Sequence, residues 1–435
     1  MKILFAASIP AQINIYIMLL GYYPMANKFS SILNKEISKI KPGGGETEEI
    51  EKETGKIISE LEKNLKKRKI NAEVFIGGSM AKGTMIKKKN YDADIFVRFD
   101  KKYDNSEISE MLSKIARGSR VHGSRDYFQI KKGNILFEII PVLKISKPAE
   151  ANNVTDLSYF HVKYVLGEAK KNRNLSDEIM LAKAFCHGQK AYGAESYIKG
   201  FSGYALELLV IHYKSFINFL KAAGKSKEQI VIDSAKFYKN KQDVLDNLNE
   251  AKLSSPIVFV DPTFKERNAL AALSKETFEK FRESAKKFLR NPSLKFFEEE
   301  KINEKNFNFI LEFETDRQEG DIAGSKMLKF SRFVEWKLKK YFDILGKNFL
   351  YEGSKKAKSY FKVKAKKKII LNGPPINKPE RLLAFKSAHK KVFIRKHIAY
   401  AEEKSINLNE FFGKLKSEKQ VMKDMGIISL KVMKK

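Results

Sequence analysis

Asp92 and Asp94 stand two apart in the run Asp92-Ala93-Asp94-Ile95-Phe96-Val97, twelve residues after Val74-Phe75-Ile76-Gly77-Gly78-Ser79. On a strand, residues i and i+2 project from one face, so the two carboxylates lie together while Ala93 points away. Paired carboxylates offer hard oxygen ligands to a divalent cation, and magnesium combines one or two such ligands with substrate phosphates. The glycines ahead of them suit the same task. Without a Cβ, Gly77 and Gly78 let backbone N–H groups approach a phosphate closely; Ser79 adds a hydroxyl donor, and Lys82 and Thr84 fall in the following turn. The spacing therefore offers a triphosphate seat beside a metal centre.

A third acid comes from Ile135-Leu136-Phe137-Glu138-Ile139-Ile140-Pro141, where one carboxylate interrupts an apolar strand. An ionised glutamate there is costly unless it pairs, binds metal or faces a cleft. With Asp92 and Asp94 it completes a triad of the kind in which two magnesium ions activate a 3′-hydroxyl and stabilise leaving pyrophosphate. Taken singly, an Asp-x-Asp pair reads equally as a solvated turn and Gly-Gly-Ser as an ordinary loop. Their order and spacing, with the acid strand, match the polymerase-beta-like nucleotidyltransferase pattern. That pattern leaves the acceptor open.

The elements that position these residues follow from periodicity. After Lys41-Pro42-Gly43-Gly44-Gly45, the spacing of Ile50, Ile57, Leu61 and Leu65 predicts a helix; strands follow over 72–78, 92–99 and 134–145, with a helix over 106–117. This is a small mixed α/β domain. Residues 155–225 read as helical, helices dominate beyond 265, and short strands return around 307–313, 349–352, 360–370 and 391–400. The basic runs Lys364 to Lys368 and His389 to Lys396 interleave with Tyr360, Phe361 and Phe393, which suits RNA contact; the plain alternative is a solvated surface.

Composition bounds the rest. A chain of 435 residues implies two to four domains, and its hydrophobic content of 43% is that of a globular protein. Lys and Arg number 84 against 52 Asp and Glu, a net charge of +32 that a polyanion would neutralise; charge alone admits nucleic acid or an anionic membrane, and nucleic acid, with no membrane partner, is the reading taken. A single cysteine, Cys186, excludes an internal disulfide and a multi-cysteine zinc site and suits a reducing cytoplasm. Residues 3–24 form an apolar stretch that could pass for a signal peptide, but Pro10, Gln12 and Asn14 interrupt it. It is either a real extension or the product of a start assigned ahead of Met25.

One segment is more specific. Tyr192-Gly193-Ala194-Glu195, continuing to Gly200-Phe201-Ser202-Gly203-Tyr204-Ala205-Leu206-Glu207-Leu208-Leu209, resembles the archaeal class of CCA-adding enzymes. Val260-Asp261-Pro262 with Lys265-Glu266-Arg267-Asn268, then Pro292-Ser293-Leu294 with Phe296-Phe297, then Gly373-Pro374-Pro375 follow in the family's order, so the resemblance spans roughly residues 46–400.

The resemblance implies an α+β, multi-domain enzyme: residues 1–24 a leader or misassigned start, 25–150 the nucleotidyltransferase catalytic domain, 151–265 a helical central nucleotide-binding domain, and 266–435 a mixed α/β tRNA-binding region. Its reaction would be template-independent addition of C, C and A to the 3′ end of tRNA from CTP and ATP, with Mg2+, in a homodimer. By the same resemblance Ser79 and Lys82 hold the triphosphate, Asp92, Asp94 and Glu138 bind metal, His161, Lys183 and Tyr192 contact the nucleotide, and Arg267 selects C and A. The chain departs from the family in Glu138, where aspartate is usual, in Lys82, where arginine is usual, and in a loop one residue longer carrying Lys87-Lys88-Lys89.

Plainer readings stand beside these. Lys183 shares a helix face with Ile179, Ala182 and Cys186, so its ammonium either finds an anion or snorkels to the surface. His161 and Tyr192 are ordinary structural residues without the resemblance, and Arg267 could simply pair with Asp261 or Glu266. Cys186 and His187 are adjacent, which is poor ligand spacing, and read as packing residues. Rival functions are a poly(A)-polymerase-like or oligoadenylate-type transferase, sharing the acid triad but not the Arg267 context, and an RNA-binding relative without catalysis.

Overall fold

The protein is described by a computed structural model covering residues 28–403 and 405–434; the apolar stretch 3–24 and the alternative start at Met25 lie outside the described residues. After α1 (residues 28–40), α2 (Gly44–Lys67) buries Ile50, Thr54, Ile57, Leu61 and Leu65, the stripe its spacing predicts. Its start is tied by the Glu46 carboxylate, which accepts from the Gly43 N–H at 2.9 Å.

That stripe covers one face of a five-stranded sheet made of β1 (Ala72–Ile76), β2 (Tyr91–Asp100), β3 (Ser119–Val121), β4 (Tyr127–Lys132) and β5 (Ile135–Lys144) in the order β1-β2-β5-β4-β3. The β2/β5 pair is parallel and the others antiparallel. Tyr91, Ala93, Ile95, Val97 and Phe99 of β2 join Ile135, Phe137 and Ile139 of β5 in the core with α2. The period of two therefore leaves Asp92, Asp94 and Glu138 on the opposite face.

The edges differ from expectation for local reasons. The first strand stops at Ile76 because Gly78 takes φ +59° and opens α3 (Gly78–Ala81). The predicted helix over 106–117 is only α4 (Ile108–Ser113). The β3/β4 hairpin was not anticipated; it sets Gln129 opposite Glu138.

The middle of the chain packs α5 (Ser158–Lys171), α6 (Leu175–Gly188), α7 (Gly203–Tyr213) and α8 (Phe216–Lys225) with α11 (Lys275–Arg290). Between them lie β6 (Ile230–Ile232), α9 (Lys241–Asn247), α10 (Glu250–Leu253), β7 (Ile257–Asp261) and β8 (Phe264–Asn268), a small three-stranded sheet with two helices. α6 and α7 are buried on nearly every side, and Phe185, Phe201, Phe216, Phe219, Phe281 and Phe288 pack as one aromatic cluster. Each buried ring contributes about 1.5–3 kcal/mol relative to leaving it exposed.

Residues 28–194 together with Ile198–Glu300 form one compact unit; Glu195–Tyr197 join the chain from Lys301 onward in a second. The second unit holds β9 (Phe309–Thr315), α12 (Asp321–Tyr341), β10 (Phe342–Tyr351), β11 (Lys356–Ala365), β12 (Ile369–Pro375), α13 (Pro379–Ala388), β13 (Val392–Arg395), β14 (Ile398–Glu403), α14 (Leu408–Ser417), α15 (Lys419–Asp424) and β15 (Ile427–Lys434). Strands pair in the orders β10-β11-β9-β15 and β12-β14-β13, and Ala323, Met327, Phe330, Val334 and Leu338 of α12 enter the core. The architecture is α+β throughout.

One reading of the basic runs needs correction. Tyr360 and Phe361 are buried, 2% and 1% exposed, so they cannot stack on RNA bases. β11 is an interior strand; Phe361 enters the core, and Tyr360 packs on Phe307 while its hydroxyl meets Glu304. Of the three aromatics only Phe393 is exposed, lying against Tyr400. Among the described residues no helix is long and apolar enough to cross a membrane.

Candidate active site

The acid triad is assembled by the central strand pair. Asp94 stands directly opposite Glu138 across β2/β5, so the two side chains leave the same face, with Asp92 two residues back on β2. Gln129 on β4 completes the row: its amide donates to Glu138 Oε1 at 2.8 Å.

The glycine loop closes over this row. The Gly77 N–H donates to the Asp94 carbonyl at 2.8 Å. A Cβ on Gly78 would fall 1.7 Å from Asp94 Oδ2, and one on Gly77 would fall 2.2 Å from the Phe96 ring. Only glycine admits the carboxylate and ring beneath the loop, and the positive φ of Gly78 adds a conformational reason. The carboxylate that would meet a metal is thus held against the loop that would meet a phosphate, with Ser79 one residue on.

Electrostatics mark the same spot. Burial, then the neighbouring Asp92, push the Asp94 carboxyl up to about 6, against the pull of Lys82, Lys183 and Lys88. Burial pushes Glu138 up to about 7; the Gln129 hydrogen bond opposes this, and Asp94 and Asp92 reinforce it. Asp92 is exposed, 3.7 Å from the Lys88 ammonium. Among the described residues no three carboxylate, histidine or cysteine side chains close into a metal cage. Magnesium does not require one, because it keeps waters and takes substrate phosphates beside one or two carboxylates. Two crowded carboxylates with raised proton affinity fit such an open site, since a divalent cation relieves their repulsion.

Lys82 and Lys183 meet at a residue that sequence reasoning passed over. Glu207, fully buried on α7, accepts from Lys82 Nζ at 2.6 Å and from Lys183 Nζ at 3.0 Å, and the Thr84 hydroxyl donates to it at 3.1 Å. Lys183 does not snorkel; it is 3% exposed, and burial pushes its ammonium down while Glu207 supports its charge. Burial alone would push Glu207 up, but Lys183 and Lys82 outweigh it and hold the carboxyl below its ordinary range.

His161 and Arg267 are brought together by Asp261, also unassigned beforehand. Asp261 Oδ2 lies 3.1 Å from His161 Nε2 and accepts from Arg267 at 2.6 Å; Oδ1 accepts from the Tyr204 hydroxyl at 3.0 Å and from Thr263. His161 stacks on Tyr204 with ring centroids 3.9 Å apart, and the Arg267 guanidinium lies 5.7 Å from that ring. Burial pushes His161 down, whereas Asp261 stays well below the carboxylate range because His161 and Arg267 overcome its burial.

Tyr192 stacks on His187 at 3.9 Å with Lys88 5.7 Å from its ring, and its hydroxyl and Lys183 both border Gly203. Tyr204 links the clusters, its ring 6.0 Å from Lys82 Nζ and its position one turn before Glu207 on α7. Glu207 carried a readable signal: it is a lone acid inside Ala205-Leu206-Glu207-Leu208-Leu209, as Glu138 is inside its strand.

Comparison with known proteins places this geometry. Residues 58–144 match the nucleotidyltransferase domain model, and residues 177–298 match the model described as the second domain of tRNA nucleotidyltransferase. A CCA-adding enzyme of Nanoarchaeum equitans is 37% identical over 337 residues, 74% of this chain and 81% of that protein. One of Methanocaldococcus jannaschii is 30% identical over 407 residues, 88% and 89% of the two chains. In fold, a structure of Cid1 poly(U) polymerase with Mg 3′-dATP bound superposes with a TM-score of 0.50 at 15% identity, over 63% of this chain and 99% of that one. The acid row, the glycine loop and the two buried charge clusters thus lie in a chain that carries a nucleotidyltransferase domain and belongs to the archaeal CCA-adding enzymes.

Proposed function

We propose that this enzyme extends the 3′ end of tRNA by C, C and A, taking CTP and ATP without a nucleic-acid template. The observation that carries the reading is Asp94 set opposite Glu138 and pressed against Gly78, which puts the carboxylates and the glycine loop in one place. In each addition the tRNA 3′-hydroxyl loses its proton to water, its oxygen bonds to the α-phosphorus, the bond from that phosphorus to the oxygen bridging to the β-phosphate breaks, and pyrophosphate leaves. Asp92, Asp94 and Glu138 would hold a divalent ion, magnesium on this reading, which would supply charge stabilisation for the pentacoordinate phosphorus and the leaving group. Gln129 holds one oxygen of Glu138, and the other would be free for the metal or the reacting hydroxyl. Ser79 and Lys82 would take the triphosphate, and Tyr192 would border it. His161 and Arg267, tied through Asp261, would meet the sugar and base; a guanidinium held in one orientation discriminates base edges by its fixed donors.

The functional division follows: 25–150 for chemistry, 151–265 for the nucleotide, 266–435 for tRNA, in a cytoplasmic homodimer whose mass light scattering would read. The test is one incubation of tRNA lacking its CCA end with CTP, ATP and magnesium. Addition of three nucleotides ending in A is expected. Long A tails from ATP alone would instead favour the poly(A)-polymerase-like reading, and binding without extension would favour an RNA-binding relative.

A further inference from the structure

A third lysine reaches this site, and it is held more loosely than the other two. Lys82 and Lys183 hydrogen-bond to buried Glu207, whereas the Lys88 ammonium makes no hydrogen bond among the described residues. It lies 3.7 Å from Asp92 Oδ2 and 5.7 Å from the centroid of the Tyr192 ring. Asp92 is the exposed member of the acid row, and Tyr192 is the ring read as bordering the nucleotide. One ammonium is therefore within reach of both.

The backbone sets it there. Lys88 belongs to Lys87-Lys88-Lys89, in the loop where this chain runs one residue longer than its family. On one side the Lys87 N–H donates to the Ile40 carbonyl at 2.6 Å, and the Lys87 ammonium pairs with Glu46 at 3.0 Å. On the other, buried Tyr91 donates its N–H to the Asn134 carbonyl at 2.7 Å. The loop is tied at both ends while the Lys88 head group keeps only a part-exposed ion pair, an interaction of little strength. Its charge still reaches the site. It opposes the rise that burial and Asp92 give Asp94, and it adds to the fall that burial gives Lys183 and His187. His187, at about 4, is neutral at pH 7, so the ring stacked on Tyr192 does not repel the ammonium.

Lys88 brings one charge to a carboxylate that a divalent ion serves with two, and magnesium bound by so few carboxylates comes with phosphates. On its flexible four-carbon stem the ammonium can give up Asp92 and turn to a phosphate without moving the tied loop. We propose that Lys88 is an exchangeable counter-ion of the active site: it neutralises Asp92 until a divalent ion takes that carboxylate, and then binds the triphosphate. Lys82 and Lys183 keep the nucleotide contacts that the family resemblance gives them, and the lengthened loop adds a third cation. This rests on the reading that the acid row holds metal and that the Gly77-Gly78-Ser79 loop seats the triphosphate.

Two measurements on the full chain test it. Manganese, a carboxylate-binding ion whose free form electron paramagnetic resonance counts, probes the acid row without nucleotide. CTP and ATP kinetics on tRNA lacking its CCA end probe the triphosphate. Lys88→Met should bind manganese about 3- to 5-fold more tightly, the worth of an exposed ion pair. The same variant should raise the nucleotide KM by about 10-fold, the worth of one charge-assisted hydrogen bond. Opposite signs are the signature, because a loop that had merely lost its shape would weaken both. Lys88→Arg, which keeps the charge, should stay near the parent in both, and Lys89→Met, one residue on, should change neither. Unchanged or weaker manganese binding by Lys88→Met would overturn the proposal, as would equal shifts in Lys89→Met, which would reduce the effect to general electrostatics. Ser79→Ala separates the proposal from the reading beneath it. A raised KM there beside an unchanged KM in Lys88→Met would overturn only the role of Lys88, whereas an unchanged KM in both would remove the triphosphate from the loop and overturn the two together.

Discussion

Glu138→Gln separates a catalytic carboxylate from a structural one, because the two roles predict opposite changes in stability. Glu138 is held by the Gln129 amide and not by a cation, so neutralising it strands no partner charge. A glutamine at this position can still accept from Gln129 through its carbonyl oxygen. Burial and the facing aspartates raise Glu138 from an ordinary 4.5 to about 7. The folded state therefore binds this proton more tightly than the unfolded state does. The penalty for ionising it is absent below about pH 4.5, grows as pH rises toward 7, and is constant above. Such a rise corresponds to about 3 kcal/mol of lost stability at pH 8.

Metal-free Glu138→Gln protein should accordingly unfold at a higher temperature than the parent at pH 8 and at the same temperature near pH 4.5. Adding magnesium should narrow or reverse the gap, since the cation relieves the repulsion only where the carboxylate is present. Single-turnover addition to tRNA should meanwhile fall by about 10²-fold or more. Thermal scans with and without magnesium at the two pH values, beside single-turnover kinetics, carry the test. An active Glu138→Gln enzyme that melts lower at pH 8 would remove Glu138 from the triad.

The remaining predictions address the other clusters. Gly78→Ala must adopt φ +59° with a Cβ 1.7 Å from Asp94 Oδ2, so it should lose about 1–3 kcal/mol of stability and most of its turnover at saturating nucleotide; a normal kcat would show that Asp94 has room to move. Arg267→Ala should relax nucleotide choice more than it slows addition, and Asp261→Asn should do the same because Asp261 orients that guanidinium at 2.6 Å; incorporation of UTP and GTP beside CTP and ATP measures it, and unchanged selectivity would make Arg267 only a tie for its turn. tRNA affinity should fall by about 10³-fold between 50 and 200 mM salt, with a shallower slope once Lys364, Lys366, Lys367 and Lys368 are neutralised; a flat plot of log affinity against log salt would refute the electrostatic reading.

The parts of this site that the sequence makes legible are those fixed by strand period. Alternation along Tyr91–Asp100 places Asp92 and Asp94 on one face, and the isolation of Glu138 among apolar neighbours marks it as a charge with a task. The same rule, applied further on, would have corrected the view of Phe361. In Lys356–Ala365 the residues Ala357, Ser359, Phe361 and Val363 alternate inward while Lys356, Lys362 and Lys364 face out, so the basic run begins on the outer face of a strand and continues, from Lys366 to Lys368, in the turn after it. Tyr360 is out of phase and is buried only because Phe307 and Glu304 cover it, which no local pattern announces.

Contacts between distant segments are the illegible part. Glu207 stands 125 residues from Lys82 and 24 from Lys183, and Asp261 stands 100 from His161. Periodicity can say that a lysine or an acid is buried, but not which one answers it. A chain with several such buried charges has many possible pairings, and packing selects one. Here it gives Lys82 and Lys183 a shared carboxylate, Glu207, beside the Asp94 carboxylate on which both also act.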